Sequence, residues 1–417
     1  MPLTPTRLAP SFTAKSLDLN LEALRGFAAL VVVWYHIILF GHFIDPHFQP
    51  EGIWVYLAPG HESVLIFFVL SGYVIALNTR EPLTRATIPT YLKKRFVRIY
   101  PIYLISILIA LLLAKQAYPG WTIFSHLLLL QGMTSELISQ NSPAWSLHYE
   151  VLFYLLFIPL SYFRLNALLV TALCLLTGLI NSLLGTAPQL TSYLYGFTFW
   201  MVGVVLARYM PHKTQPHPGQ MLSLMFLWLA LPMFNLLEVV ISKVIQVTEG
   251  KLIYPDSVFW LDRIIKLADF SWLPYALLTI IIFTSKDFLG RKPLTWLLLA
   301  LPAYKFKYLF QDRAHIDFGY WAFPVLFYWA AVFCYVFQNQ LRRISSRFIN
   351  WLSATGAISY GIYIIHFPVM HAFQCLEMFS GSAQTFWVRT VLFFIVTVIL
   401  AYILEKIIQP RIKQLFK

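Results

Sequence analysis

Charge is what this sequence has least of. Only 12% of its 417 residues are Asp, Glu, Lys or Arg, while 59% are hydrophobic. A soluble domain carries about 25% charged residues, so half of the polar surface that such a chain would need is missing. That shortage excludes a soluble enzyme, and the apolar excess excludes a disordered chain. Cysteine is scarce too. Cys174, Cys334 and Cys375 show no metal-ligand spacing and no disulfide framework, which excludes a secreted disulfide scaffold and gives no cue for a metal. A glycine-rich phosphate loop, a His-Glu-x-x-His helix and a nucleophile elbow are also missing. What the chain has in quantity is apolar runs of about 18 or more residues, each long enough to cross a bilayer. It reads as an all-α, polytopic transmembrane helical bundle.

Spans are expected at roughly 20–42, 61–79, 99–117, 145–161, 166–185, 191–209, 221–242, 270–285, 318–338, 351–373 and 385–406. The net charge of +13 would suggest nucleic-acid binding in a soluble protein. Here its distribution points to topology and no nucleic acid. No Lys or Arg occurs between Arg25 and Arg80, and then Arg80, Arg85, Lys93, Lys94, Arg95 and Arg98 come together. By the positive-inside rule this cluster marks the cytoplasmic side, as do Arg208–Lys213, Lys286–Lys292, Arg342–Arg347 and Arg411–Lys417. The first apolar run begins at Leu21 and continues past Phe40, too long for a cleaved leader, and reads as a signal anchor. Leu294 to Ala303 is a short apolar stretch between two inside-type loops. It either crosses or lies in the interface, so ten to twelve spans are expected, with both termini cytoplasmic. No repeat or soluble insertion divides residues 1–417, which read as a single integral membrane domain in contact with lipid. Self-association as a homo-oligomer is compatible with such a bundle.

An ionisable side chain inside a span is costly and therefore a functional candidate. His36 lies in the first expected span, Glu150 in the fourth and His366 in the penultimate one. At about 1.5 Å per residue, His36 and His366 lie roughly 24 and 22 Å from the cytoplasmic side. Glu150, five residues after Trp145, is expected about 7 Å below the outer surface of a roughly 30 Å core, at nearly the same depth. Arg25 precedes His36 by eleven residues. That spacing is about 1,100° of helical turn, so the two share one face with about 16 Å between them. Arg95 and Arg98 are three apart and present two guanidinium forks on one face, which suits a phosphate clamp. Helix packing is the competing reading for His366, and charge anchoring for the arginines.

Several segments together resemble the acyltransferase-3 family of integral membrane acyltransferases. Arg25 and His36 match its Arg-x10-His signature, and Phe67 to Tyr73 resembles Phe-Phe-x-Leu-Ser-Gly-Tyr/Phe. Arg95 and Arg98 match its Arg-x-x-Arg element. Trp145 to Tyr154 resembles Trp-Ser-Leu-x-x-Glu-x-x-Phe-Tyr, and Ser359 to His366 the closing Ser-Tyr-x-x-Tyr-x-x-His. The resemblance implies transfer of an acyl group, usually acetyl from acetyl-CoA, to a hydroxyl of a sugar or related acceptor. It implies that His36 is the catalytic histidine and that Arg95 and Arg98 hold the CoA phosphates. Some members carry a C-terminal extracytoplasmic domain, and none is expected here.

The residues fit that chemistry as follows. Arg25, Arg95 and Arg98 bind the acyl-CoA donor at the cytoplasmic mouth, and the thioester arm runs up the first span. His36 acts as general base on the acceptor hydroxyl, and Glu150 orients its imidazole as a carboxylate does in a triad. Ser71, Tyr73, Trp145, Ser146 and His366 are the expected substrate-binding residues, and the loop at 244–269 is a candidate for contact with the carbohydrate acceptor. The expected setting is a bacterial inner membrane. Two alternatives remain: a glycan or small-molecule exporter, which would transfer no acyl group, and a membrane-bound O-acyltransferase of the lipid- or peptide-modifying type.

Overall fold

The computed structural model describes residues 14–185, 187–212, 217–247, 265–311 and 318–416, which form helices joined by turns, with no β-strand. In chain order the helices are α1 (Ala14–Leu39), α2 (Gly60–Asn78), α3 (Ile88–Leu112), α4 (Gly120–Leu127), α5 (Trp145–Tyr162), α6 (Ala167–Leu184), α7 (Pro188–Tyr209), α8 (Pro218–Phe234) and α9 (Leu236–Val247). They continue with α10 (Leu273–Phe283), α11 (Arg291–Ala300), α12 (Phe306–Gln311), α13 (Phe318–Val336), α14 (Arg342–Gly356), α15 (Ser359–Gln374) and α16 (Ala383–Tyr402). A π-helical stretch, Ile403–Ile408, and a last turn, Gln409–Leu415, prolong α16.

Among the described residues nine helical stretches are long and apolar enough to cross a membrane. A tenth is the pair α14 and α15, bent by 66°. Every expected span has a helix in its place, although Leu267–Phe283, which holds α10, is a shorter apolar helix. Boundaries differ where charge misled hydropathy. Helix α3 begins at Ile88, three turns before the apolar run at residue 99, because backbone hydrogen bonding continues through Lys93 to Arg98. The ambiguous stretch from Leu294 is a ten-residue helix, α11, followed by a 3-10 turn and α12. Arg291 reaches Gln220 at one end of α8 (3.5 Å), and Phe306 stacks on Phe234 at the other (4.8 Å). Fourteen residues of α8 separate those contacts, about 21 Å of rise, so this broken segment runs the length of its neighbour.

Two close crossings position the site. A Cβ added to Gly72 of α2 would lie 1.9 Å from the Trp200 carbonyl of α7, and one added to Gly203 would lie 1.9 Å from the Val69 carbonyl. Helices α1 and α14 meet in the same way at Gly26 and Gly356, where a Cβ on Gly356 would lie 1.8 Å from the Glu22 carbonyl. Small residues let backbones touch where lipid supplies no hydrophobic drive for association.

Residues 118–144 fold back into the bundle, which hydropathy alone did not suggest. Tyr100 and Tyr103 of α3 donate to the carbonyls of Leu127 and His126 at the end of α4 (2.9 and 2.8 Å). Tyr100 is twelve residues from the end of α3, so α4 dips about 18 Å along it. Such irregular backbone survives at depth only when its polar groups are met inside the protein. Buried His126 does this, bridging the Thr122 carbonyl (2.8 Å) and the Ile138 amide (3.0 Å). At the far end of the bundle, Arg389 of α16 donates to the carbonyls of Ile44, Met378 and Phe373, and Asp45 accepts from Gly381 (2.9 Å) and Thr385 (2.7 Å). These bonds tie the end of α1 to the α15–α16 turn. Lys286, expected as a cytoplasmic anchor, is buried, and its ammonium donates to Met210 and Ala207 carbonyls at the C-terminal end of α7.

Candidate active site

Helices α1, α2, α3, α5 and α15 line a common cavity. Arg25, Arg95 and Arg98 line it together with Glu150, Ser71, Tyr154, Ser146 and Tyr363. Arg25 is held by Glu22 one turn earlier on α1, at 2.6 Å. The Arg95 guanidinium lies between the rings of Tyr91 (5.7 Å) and Tyr154 (5.8 Å), and its buried Nε–H meets no acceptor. Arg98 is exposed and interacts electrostatically with Tyr154, Glu405, Glu150 and Glu22. The cavity lining thus carries three guanidinium groups against one carboxylate, a surplus that favours an anionic ligand.

Glu150 faces this cavity. Ser71 Oγ donates to its Oε1 at 2.9 Å and lies 3.1 Å from the Tyr154 hydroxyl, which also donates to Oε1. One turn farther along α5, Ser146 hydrogen-bonds the Tyr363 hydroxyl (2.8 Å), which donates to the Pro143 carbonyl (2.9 Å). Tyr363 and Ser146 therefore form the end of the cavity remote from the arginines. Just beyond them is a pair of histidines. The Tyr363 carbonyl accepts from His366 Nδ1 at 2.7 Å, and His366 Nε2 lies 3.0 Å from His36 Nδ1. The two imidazoles are stacked with centroids 5.0 Å apart. Tyr35, Phe40 and Phe367 surround His36 with ring centroids at 5.2, 6.0 and 5.3 Å.

The expected partner of His36 is thereby corrected. Its hydrogen-bonded neighbour is His366, whereas Glu150 bonds Ser71 and Tyr154 in the cavity. The apolar helical stretch that holds Glu150 begins before Trp145. Trp145 is 7% exposed and is preceded by the 3-10 helix Ser139–Ala144, which extends the stretch to Ser139–Tyr162. Counted from Ser139, Glu150 lies eleven residues into that stretch, whereas Trp145 placed it only five in.

The other expected residues divide cleanly. Ser71 and Ser146 line the cavity, and His366 does not but bonds the carbonyl of Tyr363, which does. Tyr73 and Trp145 do not line it. Two positions on a helix point about 200° apart, so the face that brings Ser71 to Glu150 turns Tyr73 away, where its buried ring lies 5.8 Å from the Lys286 ammonium. Trp145 instead packs on His61 and Phe68, each at 6.2 Å. The expected acceptor loop at 244–269 lies, from 248 to 264, outside the described residues.

Four residues escaped the sequence reading. Tyr154 and Tyr363 stood within recognised segments without a role. Glu22 was legible as an i,i+3 partner of Arg25. Glu405 of the π-helical stretch accepts from the Gly361 amide at 3.2 Å. It is a lone acid at the end of the last apolar run, beside Lys406, and reads in sequence as an interface charge.

Comparison with known proteins follows the same lines. The profile of a family described as an acyltransferase domain, of the acyltransferase-3 type, matches residues 18–252 and 294–406. Acyltransferase MdmB of Streptomyces mycarofaciens is 35% identical over 154 residues, covering 34% of this chain and 38% of the relative. The match thus spans little more than a third of that relative's length. No solved structure matches significantly.

Proposed function

The chain belongs to the acyltransferase-3 family, and from that premise we propose that it is a membrane O-acyltransferase that moves an acetyl or other short acyl group from acyl-CoA to a hydroxyl of an extracytoplasmic or lipid-linked sugar. The observation that carries this reading is a single cavity with arginines at one end and a histidine pair just beyond the other.

Arg98, Arg95 and Arg25 hold the phosphates of the CoA nucleotide. The orphan Nε–H of Arg95 supports this assignment, because a buried donor without an acceptor is costly unless a ligand supplies one. Arg25 releases Glu22 or shares it with the ligand. The pantetheine arm follows α1 for about 16 Å from Arg25 toward His36. Glu150, Ser71 and Tyr154 form the polar wall along which the arm passes. Glu150 accepts from Tyr154 and Ser71 and does not itself orient His36. His36 takes the acceptor proton as general base, a function worth about 10²- to 10⁴-fold.

The test uses the purified full chain in nanodiscs, presented with acetyl-CoA and a panel of sugar acceptors. Release of CoA thiol together with an acetylated product is expected. Transport of a solute with no thiol release would replace this reading with the exporter one. In bacterial cells, mass spectrometry of envelope glycans with and without the gene is expected to differ by acetyl groups.

A further inference from the structure

The histidine pair has a polarity that follows from its hydrogen bonds. His366 Nδ1 faces two backbone carbonyls, Tyr363 at 2.7 Å and Ile362 at 3.3 Å. A carbonyl cannot donate, so the proton of this nitrogen is fixed: Nδ1 carries it. In neutral His366, Nε2 is then a bare lone pair. That lone pair lies 3.0 Å from His36 Nδ1, a hydrogen-bonding separation that requires one proton between the two nitrogens. It comes from His36. His36 is therefore protonated at Nδ1, and its Nε2 is the bare nitrogen. The charged alternative, an imidazolium at His366 donating to His36, would place a cation in a fully buried position with no carboxylate bonded to it.

We propose that His366 is the positioning residue of the transfer, accepting from His36 Nδ1–H so that His36 presents Nε2 as the base. This rests on the proposed acyl-transfer reading. His366 takes the place that a carboxylate occupies beside a catalytic imidazole, and it is itself oriented by the helix carbonyls one turn before it. The proton balance closes. The acceptor O–H gives its proton to His36 Nε2 as the oxygen attacks the thioester carbon. The C–O ester bond forms, the C–S bond breaks, and the same proton passes from Nε2 to the CoA thiolate. While His36 is an imidazolium, its Nδ1–H bond to His366 becomes charge-assisted, and the Tyr363 and Ile362 carbonyl dipoles stabilise the added charge through the His366 ring. Tyr35, Phe40 and Phe367 supply rings around His36, and His366 is its side-chain hydrogen-bond partner, beside the Val32 carbonyl one turn earlier on α1.

Nitrogen NMR of the full-length protein in nanodiscs, carrying isotope-labelled histidine and assigned through loss of the His36 signals in His36→Gln, reads the tautomer directly. Expected in the wild type is a protonated Nδ1 and a bare Nε2 at His36. His366→Phe is expected to scramble that tautomer and to lower kcat by about 10- to 100-fold with donor KM unchanged. His366→Gln, whose carboxamide oxygen stands near the place of Nε2, is expected to restore most of both. A wild-type His36 protonated at Nε2, or unchanged kcat in a folded His366→Phe protein, would overturn the proposal. If the tautomer is as expected but the enzyme transfers no acyl group, the functional reading fails while the hydrogen-bond assignment stands.

Discussion

His36 stands alone in the first apolar run, between aromatic and aliphatic neighbours, and that isolation is what makes its replacement informative. An imidazole half-buried among Tyr35, Phe40 and Phe367 contributes packing that alanine removes only in part. His36→Ala is therefore expected to fold and to lose about 10²- to 10⁴-fold in turnover, measured as CoA thiol release at saturating donor. A folded variant with wild-type turnover would remove His36 from the chemistry. At the other end of the cavity, Arg98 acts through binding. Arg98→Ala is expected to raise the donor KM by about tenfold or more, one charge-assisted phosphate contact being worth about 1.5–3 kcal/mol, with kcat little changed. An unaltered donor KM would return Arg98 to the status of a cytoplasmic anchor. Individual residues were the most legible level of the sequence. Charge inside an apolar run is costly wherever the run ends up, so His36, Glu150 and His366 declared themselves. Their pairing did not. Helical spacing relates residues on one helix and says nothing about register between two.

Helices were legible as elements because backbone groups in lipid are best satisfied along the chain itself. Less legible were elements that depend on neighbours. The dip of α4 looks like a loop in hydropathy, and side chains such as Tyr100, Tyr103 and His126 make its backbone tolerable at depth. Helix α14 is a separate case. Its contact with α1 places Arg25, and the contact passes through Gly26 and Gly356 with no room for a methyl group. Gly356→Ala should force the helices apart at a cost of at least about 1–3 kcal/mol. Thermal unfolding in detergent is expected to shift downward, and the donor KM to rise because Arg25 moves with α1. Unchanged stability and KM would mean that the crossing does not position the arginine.

For the molecule as a whole, two ends of the cavity with different chemistry imply a direction across the membrane. On the expectation that both termini are cytoplasmic, the α15–α16 turn faces outward. Cys375 lies in that turn and is exposed, whereas Cys334 is buried and Cys174 lies within α6, so the native chain carries its own reporter. A membrane-impermeant maleimide is expected to label Cys375 in intact spheroplasts. Labelling confined to inverted vesicles would reverse the orientation and with it the side on which the donor binds.

By itself the sequence determines the solvent, the all-helical character, the approximate position of most spans and the residues too costly to be in lipid without a purpose. These follow from composition and local period, since burial of apolar surface and the rise of a helix are properties of a segment. Only the tertiary structure decides which of those costly residues meet. Glu150 meets Ser71 and Tyr154, in a helical stretch that starts at Ser139 after a folded-back segment that no window of sequence reveals. His36 finds His366, 330 positions away, because the Arg389 and Asp45 ties bring the end of α1 to the α15–α16 turn. A contact between helices depends on two depths and two rotations at once, and packing at Gly26, Gly72, Gly203 and Gly356 fixes them, whereas hydropathy reports neither.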